Sequence, residues 1–240
     1  MILPMAQTGH VATLLVPVIP PASGWELYEG TVPQAELHTA AVDLLGDILT
    51  HWARGSGARI VKDLAVRWVE EDARIGVNPD VAVLLPPPPV EERALESVRT
   101  WLPGHKPPAL AIEVVSRSHP YKDYSIVPPK YAASGTTELW IFDPLLCGTS
   151  LYGGPLRLQI YRRDAAGHFA RIYAGEGPAY SPALDAWTVP TDDNRMLRIT
   201  ADTAATQFWL TGEEAERAEK DAAVARIAEL EAELARRGGG

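Results

Sequence analysis

Two short apolar runs, Asn78-Pro79-Asp80-Val81-Ala82-Val83 and Ala111-Ile112-Glu113-Val114-Val115-Ser116, each hold one carboxylate. Both runs read as buried β-strands. A carboxylate is costly to bury without a partner. Two of them in neighbouring strands point to a cation between them. A divalent ion removes the repulsion that would otherwise raise one carboxyl pKa. Mg²⁺ or Mn²⁺ is the expected cofactor, because a hard ion of this kind takes oxygen ligands and needs only one or two carboxylates. The chemistry that follows is metal-assisted hydrolysis, with phosphodiesters as the favoured substrate. A nearby lysine would orient the attacking water or stabilise charge in the transition state. The expected set is therefore Asp, Glu and Lys.

Alternation along the strands places Ala111 on the face of Glu113 and Ala82 on the face of Asp80. These small residues leave room for water, metal and substrate, and the bulky face goes to the core. Around Glu113 the charge balance is locally basic: Lys106, Arg117, Lys122 and Lys130 stand against Glu113 and Asp123. Ordinary solvated charge accounts for that cluster equally well. The chain as a whole carries a formal charge of −9, which argues against broad coating of nucleic acid. Ser116 and Ser118 would bind phosphate or order water, or simply form the turn after the strand. No Gly-x-Ser-x-Gly elbow supports Ser116 as a nucleophile. The histidines lack metal-ligand spacing, so zinc is not expected.

The elements that must position these residues are legible in part. Residues 1–24 have no clear period and read as an arm. Trp25 to Gly30 alternates like a strand end. Leu37, Ala41, Leu44, Leu45, Ile48, Leu49 and Trp52 recur at helical spacing, so a helix is expected over Pro33 to Ala53, stopped by Gly55 and Gly57. Strands are expected over Arg59 to Glu70, Val81 to Leu85, Ala109 to Val115 and Glu138 to Asp143. Val90 to Leu102 reads as a surface helix. Pro128-Pro129 forces a helix start or a kink. Leu156 to Arg162 and His168 to Tyr173 read as a hairpin about Asp164-Ala-Ala-Gly167, and Leu184 to Pro190 as an edge strand. From Thr211, Glu, Ala and Arg dominate, and Ala223, Ile227, Leu230 and Leu234 form a coiled-coil-like seam. Tyr131 and Trp140 read as core aromatics. Cys147, the single cysteine, reads as a small core or rim residue and fits a reducing compartment. No stretch approaches the roughly 20 apolar residues of a membrane span, so a cytoplasmic protein is expected.

In order and spacing, several of these motifs resemble the Uma-two (Uma2) family. They are Asn-Pro-Asp80, Ile-Glu113-Val-Val-Ser116-Arg-Ser118, Asp123, Lys130-Tyr131-Ala-Ala-Ser-Gly135 and Glu138-Leu-Trp-Ile-Phe-Asp143-Pro. Tyr28-Glu29-Gly30 and the helix with His38 fit its amino-terminal pattern. The resemblance spans roughly residues 25 to 190. It implies the PD-(D/E)XK restriction-endonuclease-like superfamily: an α/β fold with a mixed central sheet flanked by helices and a Mg²⁺-dependent nuclease site. Asp80 and Glu113 would be the metal ligands, with the Val114 carbonyl a third and His38 at the site. Ser116, Arg117, Lys122 and Asp123 would lie around it or meet phosphate. Members of the family often keep a lysine four residues after the aspartate that matches Asp123; here Val127 stands there. Lys130, three residues on, is the expected replacement, and Lys122 a second choice.

The expected organisation is an arm over residues 1–24, a nuclease-like domain over residues 25–210 and a charged helical extension over residues 211–240. The expected activity is endonucleolytic hydrolysis of DNA by a homodimer. Two other readings stay open. One is a catalytically silent module that binds nucleic acid or a protein partner. The other is a structural dimer organised by the carboxy-terminal helix.

Overall fold

A computed structural model describes residues 13–22, 24–27, 36–89, 95–150 and 153–238. A central seven-stranded sheet organises the chain. Its strands in sequence are β1 (Leu14–Val16), β2 (Arg59–Lys62), β4 (Val81–Leu84), β6 (Leu110–Val114), β7 (Glu138–Phe142), β8 (Leu158–Arg163) and β9 (Phe169–Gly175). They lie in the order β1-β9-β8-β7-β6-β4-β2. Only β6 and β7 run parallel; every other neighbouring pair is antiparallel. A parallel pair needs a crossover. Here the crossover carries a π-helical turn, Lys122–Ile126, and the helix α2, Val127–Ser134.

The sheet is covered on both faces, which explains why all five residues of β6 are buried. On one face α1 (Glu36–Ser56) lays Ala41, Leu45, Ile48 and Leu49 against Val81, Ile112 and Trp140. The same core takes Ala186, Leu197 and Ile199 from a smaller sheet of β10 (Ala179–Ser181), β11 (Ala186–Thr191) and β12 (Met196–Thr200). On the other face Val127, Tyr131 and Ala132 of α2 pack against Ala111, Leu139 and Ile141. The room expected beside the alanine on Glu113's face is therefore filled: Ala111 is wholly buried in that second cluster.

Several expected boundaries move. α1 continues through Gly55, and Gly57 ends it with φ +71, a conformation that glycine takes without strain. Pro33 to Gln34, where the helix was expected to begin, and Tyr28 to Gly30 lie outside the described residues. The strand expected over Arg59 to Glu70 breaks at Asp63, whose φ of 49 turns the chain. Beyond the break, β3 (Ala65–Arg67) joins a separate parallel pair with β5 (Ser97–Arg99). β5 lies inside the helix expected over Val90 to Leu102. Val98 is wholly buried there, and pairing with β3 overrides the local helical preference. Leu14–Val16, within the expected arm, forms the sheet edge beside β9. β11, expected at an edge, is the middle strand of its sheet. Pro190 is tolerated there because β10 ends its pairing at Thr188, so no bond to β10 is lost.

The π-helical turn has a direct cause in the sequence. Pro128 and Pro129 have no N–H to close α-helical bonds onto the preceding turn. The Val127 N–H instead bonds to the Lys122 carbonyl, one residue further back than in an α-helix. α2 then starts with the two prolines in its first turn, where no donor is needed. Beyond the body, α3 (Gly212–Gly238) begins at a reciprocal cap: Glu214 N–H donates to Thr211 Oγ1, and Thr211 N–H to Glu214 Oε2. Arg198 holds Glu214 at 2.9 Å. Among the described residues no helix is long and apolar enough to cross a membrane.

The turn is held from outside by Asp143, which is wholly buried at the end of β7. It accepts hydrogen bonds from Tyr124 Oη and from the N–H groups of Leu145, Cys147 and Gly148. A Cβ on Gly148 would run into the Tyr124 ring. Gly148→Ala is therefore expected to displace Tyr124 and lower stability by about 1–3 kcal/mol, measured by thermal melting.

Candidate functional site

The last Cα pair between β4 and β6 is Val81 with Ile112. One step further on each strand brings Asp80 opposite Glu113. Asp80 does not continue the ladder with its backbone; its Oδ2 accepts the Val114 N–H at 2.7 Å. The two carboxylates singled out in the sequence thus meet at the carboxyl end of β6. They differ in exposure: Glu113 is 1 % exposed, whereas the Asp80 side chain is 16 % exposed.

His38 reaches the same point from the first turn of α1, with Nε2 3.2 Å from Asp80 Oδ2. Burial acts to lower its pKa, but the bond to Asp80 and the charges of Asp80 and Glu113 outweigh it, and the value rises. For Glu113 burial is the largest influence, raising its pKa from 4.5 to about 7, with Lys122 opposing the rise. Asp123, buried in the π-helical turn, is also pushed well up, by burial and then by the charge of Glu113. Lys122 is raised, chiefly by the charge of Glu113. Its side chain is 53 % exposed, and its Nζ lies 3.9 Å from Asp123 Oδ1. Ser116 and Arg117 follow β6 in the adjoining loop, half-buried and exposed respectively.

Lys130 is placed differently. Its Nζ donates to the carbonyls of Trp25 at 3.1 Å and Gly76 at 3.3 Å. Burial lowers its pKa. The expected replacement amine is thus tied to main chain, where it fastens the Trp25 segment to the body. Val127, at the position of the missing lysine, is wholly buried in the α2 cluster. One contact was missed by reading the sequence: Tyr131 Oη donates to Glu113 Oε1 at 2.6 Å. A fully buried tyrosine needs a partner for its hydroxyl, and a buried glutamate needs a donor, so the two signals were present separately.

The donor set fits a hard divalent cation. It consists of carboxylate oxygens and main chain: Glu113, Asp123, Asp80 and Asp63 all act on the charge of Lys122, and His38 bonds to Asp80. Among the described residues no group of three or more His, Cys, Asp or Glu side chains is gathered closely enough to hold an ion. Mg²⁺ does not require such a group, since it keeps several waters.

The Uma2 family model, "Putative restriction endonuclease", matches residues 15–187. The chain belongs to the Uma2 family. Asp80, Glu113 and the π-helical turn all fall inside the matched region. Among solved structures the chain is similar to a protein of Anabaena variabilis described as "a putative nuclease belonging to DUF820". Identity is 15 %, the TM-score is 0.44, and the match covers 64 % of this chain and 76 % of that one. The search of curated proteins gives no match. Within the Uma2 chain described here, the mixed sheet flanked by α1 and α2 is the architecture expected from the sequence.

Glu113 holds its proton more tightly folded than unfolded. Its contribution to stability is therefore fully present below about pH 4.5 and is lost as pH rises through about 7. Asp123 adds a slope of the same sign. In metal-free protein, Glu113→Gln keeps an oxygen for Tyr131 and is expected to remove the Glu113 share. Stability near pH 8 should rise by up to about 3 kcal/mol relative to the parent, with little change near pH 4, read by urea unfolding.

Proposed function

We propose that this Uma2 protein is a divalent-metal-dependent endonuclease that hydrolyses DNA phosphodiester bonds. The observation that carries the reading is the meeting of Asp80 and Glu113 at adjoining strand ends, with the Lys122 amine in the electrostatic reach of Glu113. Asp80, Glu113 and the Val114 carbonyl would hold Mg²⁺ or Mn²⁺. When bound, that ion would supply a Lewis acid for the phosphate and a more acidic water.

The chain's own residues divide the remaining work. His38 and the Val114 N–H both engage Asp80 Oδ2, which fixes the carboxylate and leaves Oδ1 free of them. Lys122 takes the part of the family lysine. It would orient the attacking water and stabilise charge on the phosphate oxygens. The π-helical turn makes this exchange possible, because it carries Lys122 to Glu113 while Val127 stays in the core. Arg117 and Ser116 would meet the flanking phosphate. Lys130 serves the fold.

The displaced lysine and the charge of −9 favour a second reading, a silent nuclease-like module that binds nucleic acid or a protein. The test is Mn²⁺ calorimetry joined to nicking of supercoiled plasmid. Asp80→Ala should lose both. Lys122→Ala should keep metal binding and lose about 10²–10³-fold in rate. Lys130→Met should melt earlier yet cleave within a few-fold of the parent. Cleavage lost in Lys130→Met but kept in Lys122→Ala would reverse the assignment of the amine. Metal binding without nicking in the parent would support the silent module.

Homodimerisation belongs to the same proposal. α3 leaves Val224, Ile227, Leu230 and Leu234 between 42 % and 69 % exposed, a seam that a second copy would cover. Truncation after Glu219 keeps the cap and the Arg198–Glu214 pair. It should give a monomer by light scattering, with the melting of the body unchanged.

A further inference from the structure

Glu113 is the less adaptable of the two carboxylates at the site, and its surroundings show which atom is committed. Oε1 accepts the Tyr131 hydroxyl at 2.6 Å, a short bond. Oε2 makes no hydrogen bond to the described residues. Tyr131 is itself immobile: it is wholly buried in α2, packed among Val127, Leu139 and Ile141. Ser134 Oγ donates to its carbonyl, as does the Arg163 guanidinium, so the backbone that carries the ring is also held.

We infer that Tyr131 is a positioning residue for the metal site: its hydroxyl withdraws Oε1 and presents Oε2 of Glu113 to the cation. The inference rests on the nuclease reading, because it needs an ion beside Glu113. A glutamate side chain has three rotatable bonds and two equivalent oxygens. Free, it would flip and move between one-oxygen and two-oxygen coordination. Pinned by a ring fixed in the core, it offers one oxygen in one direction. That suits a small ion that demands near-ideal octahedral geometry. A partner of this kind behind a ligand commonly changes metal affinity by about 10–100-fold when removed.

Tyr131→Phe keeps the ring and removes only the donor. Mn²⁺ affinity measured by calorimetry on the full chain should fall about 10-fold or more. In a Glu113→Gln background the same substitution should change the residual Mn²⁺ affinity by less than about twofold, since the positioned oxygen is already altered. A role confined to packing would lower the melting temperature and leave Mn²⁺ affinity untouched. A second measurement needs no substitution. With ¹³Cζ-labelled tyrosine, the Tyr131 resonance should move during Mg²⁺ titration, following the same saturation curve as the calorimetry. A parent that binds Mn²⁺, with Tyr131→Phe binding equally well or more tightly, overturns the inference alone. So does a Tyr131 resonance unmoved at saturating Mg²⁺. A parent that binds no divalent ion overturns the metal site and this inference together.

Discussion

Glu113 sits in the middle of the chain's physical problem. It lies on a strand covered on both faces, where an isolated carboxylate is strongly disfavoured. Its neighbours each offset part of that cost. Tyr131 donates a hydrogen bond, Lys122 contributes positive charge, and His38 adds more through Asp80. None of the three comes from the strand itself. They are delivered by α2, the π-helical turn and α1, which must therefore pack in one arrangement for the carboxylate to be tolerated. A core of apolar residues alone would accept small shifts of these helices. A buried charge with directional partners does not.

The crossover between β6 and β7 carries most of this demand. It has to bridge two parallel strands, cover one face of the sheet, and bring a cation and a tyrosine to the same glutamate. The two prolines make one solution available. They remove α-helical donors at the point where the chain would otherwise continue a regular helix, and the wider turn results. Asp143 then fixes the far side of that turn through Tyr124 and the loop to Gly148. The site is thus braced from the end of β7 as well as from β6.

Much of this was readable from the residues, and the exceptions have physical causes. Asp80 and Glu113 stand out because charge is rare in apolar strands, and their meeting follows from antiparallel register. α1 and the hairpin of β8 and β9 announce themselves through period and turn chemistry. β5 does not, since three residues paired to a distant strand leave no local signal. Lys130 and Lys122 could not be ranked from spacing. Their order depends on whether the segment before Pro128 is an α-helix or a wider turn, and on the carbonyls of Trp25 and Gly76, which come from far along the chain. Tyr131 was legible as a core ring, but its hydroxyl partner lies on another element.

The edge strand β1 joins the sheet by pairing with β9, far along the chain and after every other strand of that sheet. The carboxylate, the tyrosine and the lysine come instead from one continuous stretch between β6 and β7. In folding terms the two regions differ in loop-closure entropy. The stretch from β6 through the wide turn and α2 to β7 closes over a short separation and can assemble as an early unit. The β1 edge must wait for β9. Local opening in the native protein should run in reverse, with the β1 edge exchanging its amide protons before the strands that carry Glu113. Release of that outer edge would leave the pairing of β6 with β4 and β7 in place.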